Sequence, residues 1–253
     1  MELSGNTILI TGGATGIGLA FASRLLEAGN RVIVVGRRED KLNDAKAAYP
    51  ELIIKACDVS NEQDRLALVE WVLTEHPEVN VLVNNAGIQQ RVNVARADKD
   101  WPFYQNEIAI NVEGPIHLSL LLVPHFQKQK RAAIINVSSG LAIRPGGWVP
   151  IYSATKAAIH SFTQSLRLQM EDSSVRVIEV LPPAVNTDLG GSGLHTFGAP
   201  LDDFADSVVD RIKRGDLEIG YGDSEQRLHM AKAENDLSAK AAWDNFRKNN
   251  PDF

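Results

Sequence analysis

The stretch Thr11-Gly12-Gly13-Ala14-Thr15-Gly16-Ile17-Gly18 constrains this chain more than any other. An apolar run from Thr7 to Ile10 precedes it, and an amphipathic run from Leu19 to Ala28 follows. The pattern reads as strand, tight glycine turn, helix. Such a turn brings backbone N–H groups and a helix N-terminus up to a phosphate. Gly12, Gly16 and Gly18 are where a Cβ would most obstruct the turn or an approaching dinucleotide. The spacing is G-x-x-x-G-x-G rather than G-x-G-x-x-G, and the Lys-Ser or Lys-Thr of a P-loop is missing. Alone, the stretch is also compatible with an ordinary strand–helix turn.

The same alternation continues along the chain. Arg31–Gly36, Leu52–Ala56, Val79–Val83, Ala133–Val137 and Val175–Leu181 read as further strands. Their apolar runs carry little polar alternation, as in a sheet covered on both faces. Between them lie helical segments: Glu39–Tyr49, Glu62–His76 with Ser60 as N-cap, a long stretch Asn106–Gln129 kinked or divided by Pro115 and Pro124, and Tyr152–Glu171. Leu201–Arg214 adds another amphipathic helix, and Glu218–Tyr221 a short last strand. Repeated strand–helix–strand units imply right-handed crossovers. The expected fold is therefore α/β: a single Rossmann-type domain over residues 1–253, with a doubly wound, mostly parallel sheet flanked by helices. Residues 188–200, rich in glycine, read as a substrate loop or as a plain surface excursion, and residues 225–250 as a helix-rich, charged tail.

Composition removes several function classes. The 253 residues carry a formal net charge of -6, with no long Lys/Arg block, so no nucleic-acid partner is expected. No run of about twenty apolar residues exists, so no membrane span is expected. The N-terminus enters the first strand without a signal-peptide pattern, which points to the cytoplasm. Cys57 is the single cysteine, and the six histidines form no H-E-x-x-H motif, so no metal is expected.

The second half carries the chemistry. Tyr152 and Lys156 stand one helical turn apart on one face. An ammonium beside a phenol favours the phenolate and lowers its pKa from about 10 toward a range suited to proton exchange. Ser139 ends the fifth strand of the run, and Tyr152 opens the helix that follows. In a parallel sheet the C-terminal strand ends form the ligand crevice, which puts Ser139, Tyr152 and the glycine turn on one edge. Two hydroxyls there can grip one carbonyl oxygen beside a hydride donor.

These residues, with Asp58-Val59, Asn84-Asn85-Ala86-Gly87, Asn111, Tyr152-Ser-Ala-Thr-Lys156 and Pro182 through Thr187, appear in the order of a known family. Across about residues 5–190 the chain resembles the short-chain dehydrogenase/reductases, and most resembles their DltE-like branch. The resemblance implies a catalytic set of Asn111, Ser139, Tyr152 and Lys156. Tyr152 is then the acid/base, and Lys156 lowers its pKa and holds the nicotinamide ribose. Ser139 orients the carbonyl, and Asn111 holds a relay water. The implied cofactor contacts are Gly12, Thr15, Gly16, Ile17, Gly18, Arg37, Arg38, Asp58, Val59, Asn85, Ala86, Gly87, Tyr152, Lys156, Pro182, Val185 and Thr187. Asn84 supports the sheet. The usual Pro-Gly pair of the last motif is Pro182-Pro183 here, and the second proline fixes a φ that the family's glycine leaves free. The family also implies a homodimer or homotetramer.

For the cofactor, no carboxylate occupies Gly36, where NAD-specific sites hold the ribose, and Arg37 follows. A guanidinium there suits a 2′-phosphate, which favours NADP(H), with NAD(H) possible because Glu39 and Asp40 lie close in sequence. The expected reaction is reversible hydride transfer between NADP(H) and a small carbonyl or secondary alcohol. The alternative is a dinucleotide-sensing or scaffold protein with little turnover.

Overall fold

The computed structural model describes residues 2–253. Strand β1 (Thr7–Thr11) is buried at every position. Its residues alternate between two cores: Ile8 and Ile10 pack on one face of the sheet, Leu9 on the other. Strands β2 (Arg31–Gly36), β3 (Ile53–Ala56), β4 (Val79–Asn84), β5 (Ala132–Val137), β6 (Val175–Leu181) and β7 (Glu218–Gly220) complete a seven-stranded sheet. All pairs are parallel, in the order β3-β2-β1-β4-β5-β6-β7.

Helices cover both faces. α1 (Gly16–Glu27), α2 (Glu39–Ala48) and α7 (Leu201–Arg214) pack on the side of Ile8 and Ile10, where Phe21 lies 6.1 Å from Phe204, ring centre to ring centre. α3 (Glu62–Glu75), α5 (Gly114–Phe126) and α6 (Pro150–Gln169) pack on the side of Leu9, around Leu118, Leu122 and Phe126. α4 (Trp101–Ile108) precedes α5, and α8 (Asp223–His229) and α9 (Lys232–Asn249) end the chain. The strand order reverses direction between β1 and β4. That switch point opens a crevice at their C-terminal ends.

Three local expectations change. The long helix from Asn106 to Gln129 begins at Trp101, and a π turn, Ala109–Glu113, divides it. The division falls just before Pro115, whose ring and missing N–H disturb the turn that contains Asn111, four residues earlier. Pro124 lies in the last turn of α5 without ending it. α3 is capped by Asn61 rather than Ser60: the Asn61 side chain accepts from Asp64 N at 3.1 Å. Ser60 instead donates its hydroxyl to Asp58 Oδ1 at 2.7 Å. The tail is two helices, α8 and α9, broken at Met230-Ala231.

Candidate active site

The glycine turn and the end of β4 are built against each other. Gly12 has φ +64°, and a Cβ there would lie 2.9 Å from Ala86 Cα. A Cβ on Gly18 would lie 2.2 Å from the Gly12 carbonyl oxygen, so the first turn of α1 closes only with glycine at that position. Asn85 Nδ2 donates to the carbonyl oxygens of Thr11 and Gly12, both at 3.1 Å. Thr11 Oγ1 accepts in return from Asn85 N and Ala86 N. Deeper in the sheet, Asn84 Nδ2 donates to Asn136 Oδ1 at 2.8 Å, and Asn136 Nδ2 to Thr163 Oγ1 at 2.9 Å. This buried polar chain links β4, β5 and α6.

Ser139, Tyr152 and Lys156 meet just beyond the C-terminal end of β5, and all three are buried. Ser139 Oγ accepts from Leu141 N at 3.1 Å, which opens a short 3₁₀ turn and fixes the hydroxyl. Lys156 Nζ donates to the Val137 carbonyl oxygen at 2.9 Å and lies 5.5 Å from the centre of the Tyr152 ring. Burial pushes the Tyr152 phenol up, opposed by its hydrogen bond with Ser139, and pushes the Lys156 ammonium down to about 8. The expected lowering of the phenol by Lys156 is therefore not seen: burial of the ring outweighs the bond to Ser139, and the net shift is upward.

Asn111 lies in the π turn. Its Nδ2 donates to the Ile88 carbonyl oxygen at 2.9 Å and to Thr155 Oγ1 at 3.1 Å, and its Oδ1 accepts from Ile88 N at 2.9 Å. A methyl on Gly87 would touch Asn111 Oδ1 and Lys156 Nζ together, at 3.4 and 3.5 Å. Asn111 thus borders Lys156 from behind, off the cavity wall.

A cavity of about 960 Å³ runs from the glycine turn to Tyr152. Gly12, Thr15, Gly16 and Ile17 line one end, with Arg37, Arg38 and Val59 beside them. Asn85, Ala86 and Gly87 form the middle, and Pro182, Val185 and Thr187 face them. Gly18 and Asp58 do not reach its wall. Asp58 stands behind Arg37 instead, with 3.8 Å between its Oδ2 and Arg37 Nη1. The carboxylate beside Arg37 is thus Asp58, rather than Glu39 or Asp40. The long cleft, the backbone packed too tightly for any Cβ and the cationic end together fit a dinucleotide.

Residues 6–195 match the family model for short chain dehydrogenases. The chain belongs to the short-chain dehydrogenases. It is similar to the uncharacterized oxidoreductase DltE of Bacillus subtilis (strain 168), with 46% identity over 224 residues, covering 87% of this chain and 89% of that protein. Among solved structures it is similar to a short chain dehydrogenase from Burkholderia cenocepacia in complex with NADP (TM-score 0.79, 25% identity, covering 90% and 93% of the two chains). It is also similar to 3-ketoacyl-(acyl-carrier-protein) reductase from Brucella melitensis complexed with NADH (TM-score 0.78, 27% identity, 86% and 97%). The resemblance seen in the motifs therefore holds, and so does the Rossmann-type fold. This dehydrogenase is an oxidoreductase that moves hydride between a nicotinamide dinucleotide and a carbonyl or alcohol.

The far end of the dehydrogenase's cavity joins Trp148 and Arg144, on the connection before α6, to residues of the tail. The tail packs on its own chain: Trp148 stacks on Phe246 at 5.2 Å, and Phe246 on Trp243 at 5.8 Å. Leu237 remains exposed. Arg227 of α8 lies against Gly140, where a methyl would sit 2.9 Å from its Nη1. Nothing in the local pattern of α8 marks Arg227; only the tertiary return of the tail brings it there. Glu107, one helical turn before Asn111, is fully buried, accepts from Gln90 N at 3.1 Å, and is pushed up to about 7 by burial. His160, Glu179 and Glu218 offer ligand atoms within 4.8 Å of one another. His160 Nδ1 is bonded to the Glu179 carboxylate at 2.9 Å, and that carboxylate also accepts from Ser138, so these groups already satisfy one another. Among the described residues no helix is long and apolar enough to cross a membrane.

Proposed function

We propose that this dehydrogenase is an NADP(H)-preferring carbonyl reductase whose proton donor is Tyr152. The bound dinucleotide supplies the hydride. The Tyr152 phenol donates its proton to the carbonyl oxygen as negative charge gathers there, and takes it back in the reverse direction. Ser139 Oγ donates to the same oxygen, so two hydroxyls hold the charge in a site largely closed to water. The Lys156 ammonium, fixed through Val137, would favour the phenolate and would hold the cofactor's ribose. Asn111 anchors the Ile88 turn and the relay behind Lys156.

The observation that carries the reading is the meeting of buried Ser139, Tyr152 and Lys156 on a cavity continuous with the glycine turn. Arg37 supports the NADP(H) preference: its guanidinium is half exposed at the cavity's end, and no carboxylate stands at Gly36. The remaining cofactor contacts are those of the family pattern, with Gly18 and Asp58 acting behind the wall. Residues 1–253 act as one cofactor-binding and catalytic unit, with 188–200 as a substrate loop and 225–250 as its outer wall. The single free cysteine, buried Cys57, is in keeping with a cytoplasmic protein. Exposed Leu120 on α5 and Leu168 on α6 are in keeping with a homodimer or homotetramer assembled through those helices.

The test is NADPH oxidation over a panel of aldehydes and ketones, run beside NADPH binding, for the wild type and Tyr152→Phe. The expected result is turnover in the wild type, a loss of about 10²–10⁴ in the variant, and retained cofactor binding. Binding without turnover in the wild type favours the dinucleotide sensor instead.

A further inference from the structure

The substrate end of the cavity holds more positive charge than its own carboxylates neutralise. Arg144 and Arg227 both line it. Arg227 is 8% exposed and donates to Asp223. Arg144 is half-buried and has no ion pair among the described residues. Among the described residues its Nη1 reaches only Ser238, at 3.3 Å to the carbonyl oxygen and 3.5 Å to the hydroxyl, and its buried Nε has no hydrogen-bond partner. A buried guanidinium N–H without an acceptor is costly, and two guanidiniums in one another's field add to that cost. Burial pushes both arginines down, and Arg144 pushes Arg227 down further. Asp223 pairs with Arg227 and its charge also reaches Arg144, so one carboxylate faces two guanidiniums. Asp188, the other acidic group on the cavity wall, is in no ion pair with either arginine.

The place of this pair gives it meaning. Arg227 Nη1 packs against Gly140, the residue after Ser139, and both Arg227 and Ser139 line the same cavity. Trp148 and Phe246, stacked on each other, form an apolar wall of the same space. We infer that the substrate is an acidic carbonyl compound: its carboxylate is received by Arg144 and Arg227, and its apolar body rests on Trp148 and Phe246. The inference rests on the carbonyl-reductase reading for the reaction, while the anion site itself stands on the arginines alone.

A plain structural role for Arg144, holding α9 through Ser238, is the competing account. Its two bonds are long, and neither uses Nε. The two accounts separate on one matched pair of aldehydes, 4-formylbenzoate and its methyl ester, with NADPH as reductant. Hydride adds to the aldehyde carbon, a proton adds to its oxygen, NADPH becomes NADP⁺, and the carboxylate or ester is untouched. The wild type is expected to favour the acid over the ester by at least about tenfold in kcat/KM, as a charge-assisted pair contributes. In Arg144→Gln that ratio is expected to fall about tenfold, whereas Ser238→Ala, which removes one tail contact and keeps the charge, keeps the ratio. Calorimetric titration of the NADP⁺-bound protein with terephthalate gives a readout free of turnover, with binding expected in the wild type and lost in Arg144→Gln. Turnover of both aldehydes at equal efficiency by the wild type, with no terephthalate binding, overturns the anion site and leaves the reductase reading intact. Terephthalate binding that depends on Arg144, with neither aldehyde reduced, upholds the anion site and removes the reductase reading. Should Arg144→Gln fail to fold, the wild-type acid-to-ester ratio alone decides.

Discussion

Lys156 Nζ lies 5.5 Å from the centre of the Tyr152 ring and is held there by the Val137 carbonyl oxygen at 2.9 Å. Both side chains are buried, and burial favours the neutral form of each, raising the phenol and lowering the ammonium. Burial therefore favours a protonated Tyr152, which is the form a carbonyl reduction consumes.

A pH profile follows from that pairing. kcat/KM for NADPH reports on the free enzyme. Lys156, pushed down to about 8, loses its charge as pH rises through that value, and with it an attraction for the anionic cofactor. The expected profile is flat to about pH 8 and falls above it. Lys156→Arg, whose charge persists, is expected to lower the plateau and remove the fall up to pH 10. A wild-type profile flat to pH 10 would count against Lys156 as the titrating group.

Cofactor choice gives a second prediction. Arg37→Ala removes a cationic partner for a 2′-phosphate and is expected to weaken NADP⁺ binding by roughly tenfold to a hundredfold, with little change for NAD⁺. Gly36 has open space where a side chain would begin, so Gly36→Asp can be accommodated and brings a carboxylate to the end of β2. That variant is expected to favour NAD⁺. Titrations of both dinucleotides against the wild type and the two variants check it, and an unchanged NADP⁺ affinity in Arg37→Ala removes the assignment.

The sheet and the turn were legible because each rests on local chemistry. Apolar runs mark strands covered on both faces, and Gly12 and Gly18 stand where backbone meets backbone. Tyr152 and Lys156 were legible from helical spacing. What spacing could not carry was the balance of burial against charge at Tyr152, since desolvation depends on everything packed around the ring. The form of the break at Asn111 was also hidden: Pro115 marks an irregularity nearby, but its presence does not say that the chain answers with a π turn over Ala109–Glu113. Arg227 and the Trp148–Phe246 stack join residues far apart in sequence, and only the folded tail relates them.

Assembly gives a third prediction. Leu120 and Leu168 are 61% and 74% exposed on α5 and α6, large apolar side chains on helices whose other faces fill the core. If these helices meet their copies, Leu120→Glu together with Leu168→Glu places like charges in the contact. The wild type is expected to show the mass of a dimer or tetramer by light scattering, and the double variant a smaller assembly. An unchanged mass would put the contact elsewhere.

Glu107 gives the last prediction, through stability rather than turnover. Its side chain is fully buried; Oε1 accepts from Gln90 N at 3.1 Å, and Oε2 has no hydrogen-bond partner among the described residues. Burial raises its pKa from 4.5 to about 7. Between these values the unfolded chain has released the proton while the folded chain keeps it. Stability therefore falls as pH rises from 4.5 to 7, and the loss persists above pH 7. Glu107→Gln keeps the acceptor for Gln90 and cannot ionise, so it is spared that fall. Urea unfolding of both proteins at pH 5 and pH 8 is expected to show the difference between them shifting toward the variant by on the order of 2 kcal/mol at the higher pH. A difference that stays constant between the two pH values would mean that Glu107 ionises in the folded protein as it does in the unfolded chain, and that its burial is offset by the Lys156 charge nearby.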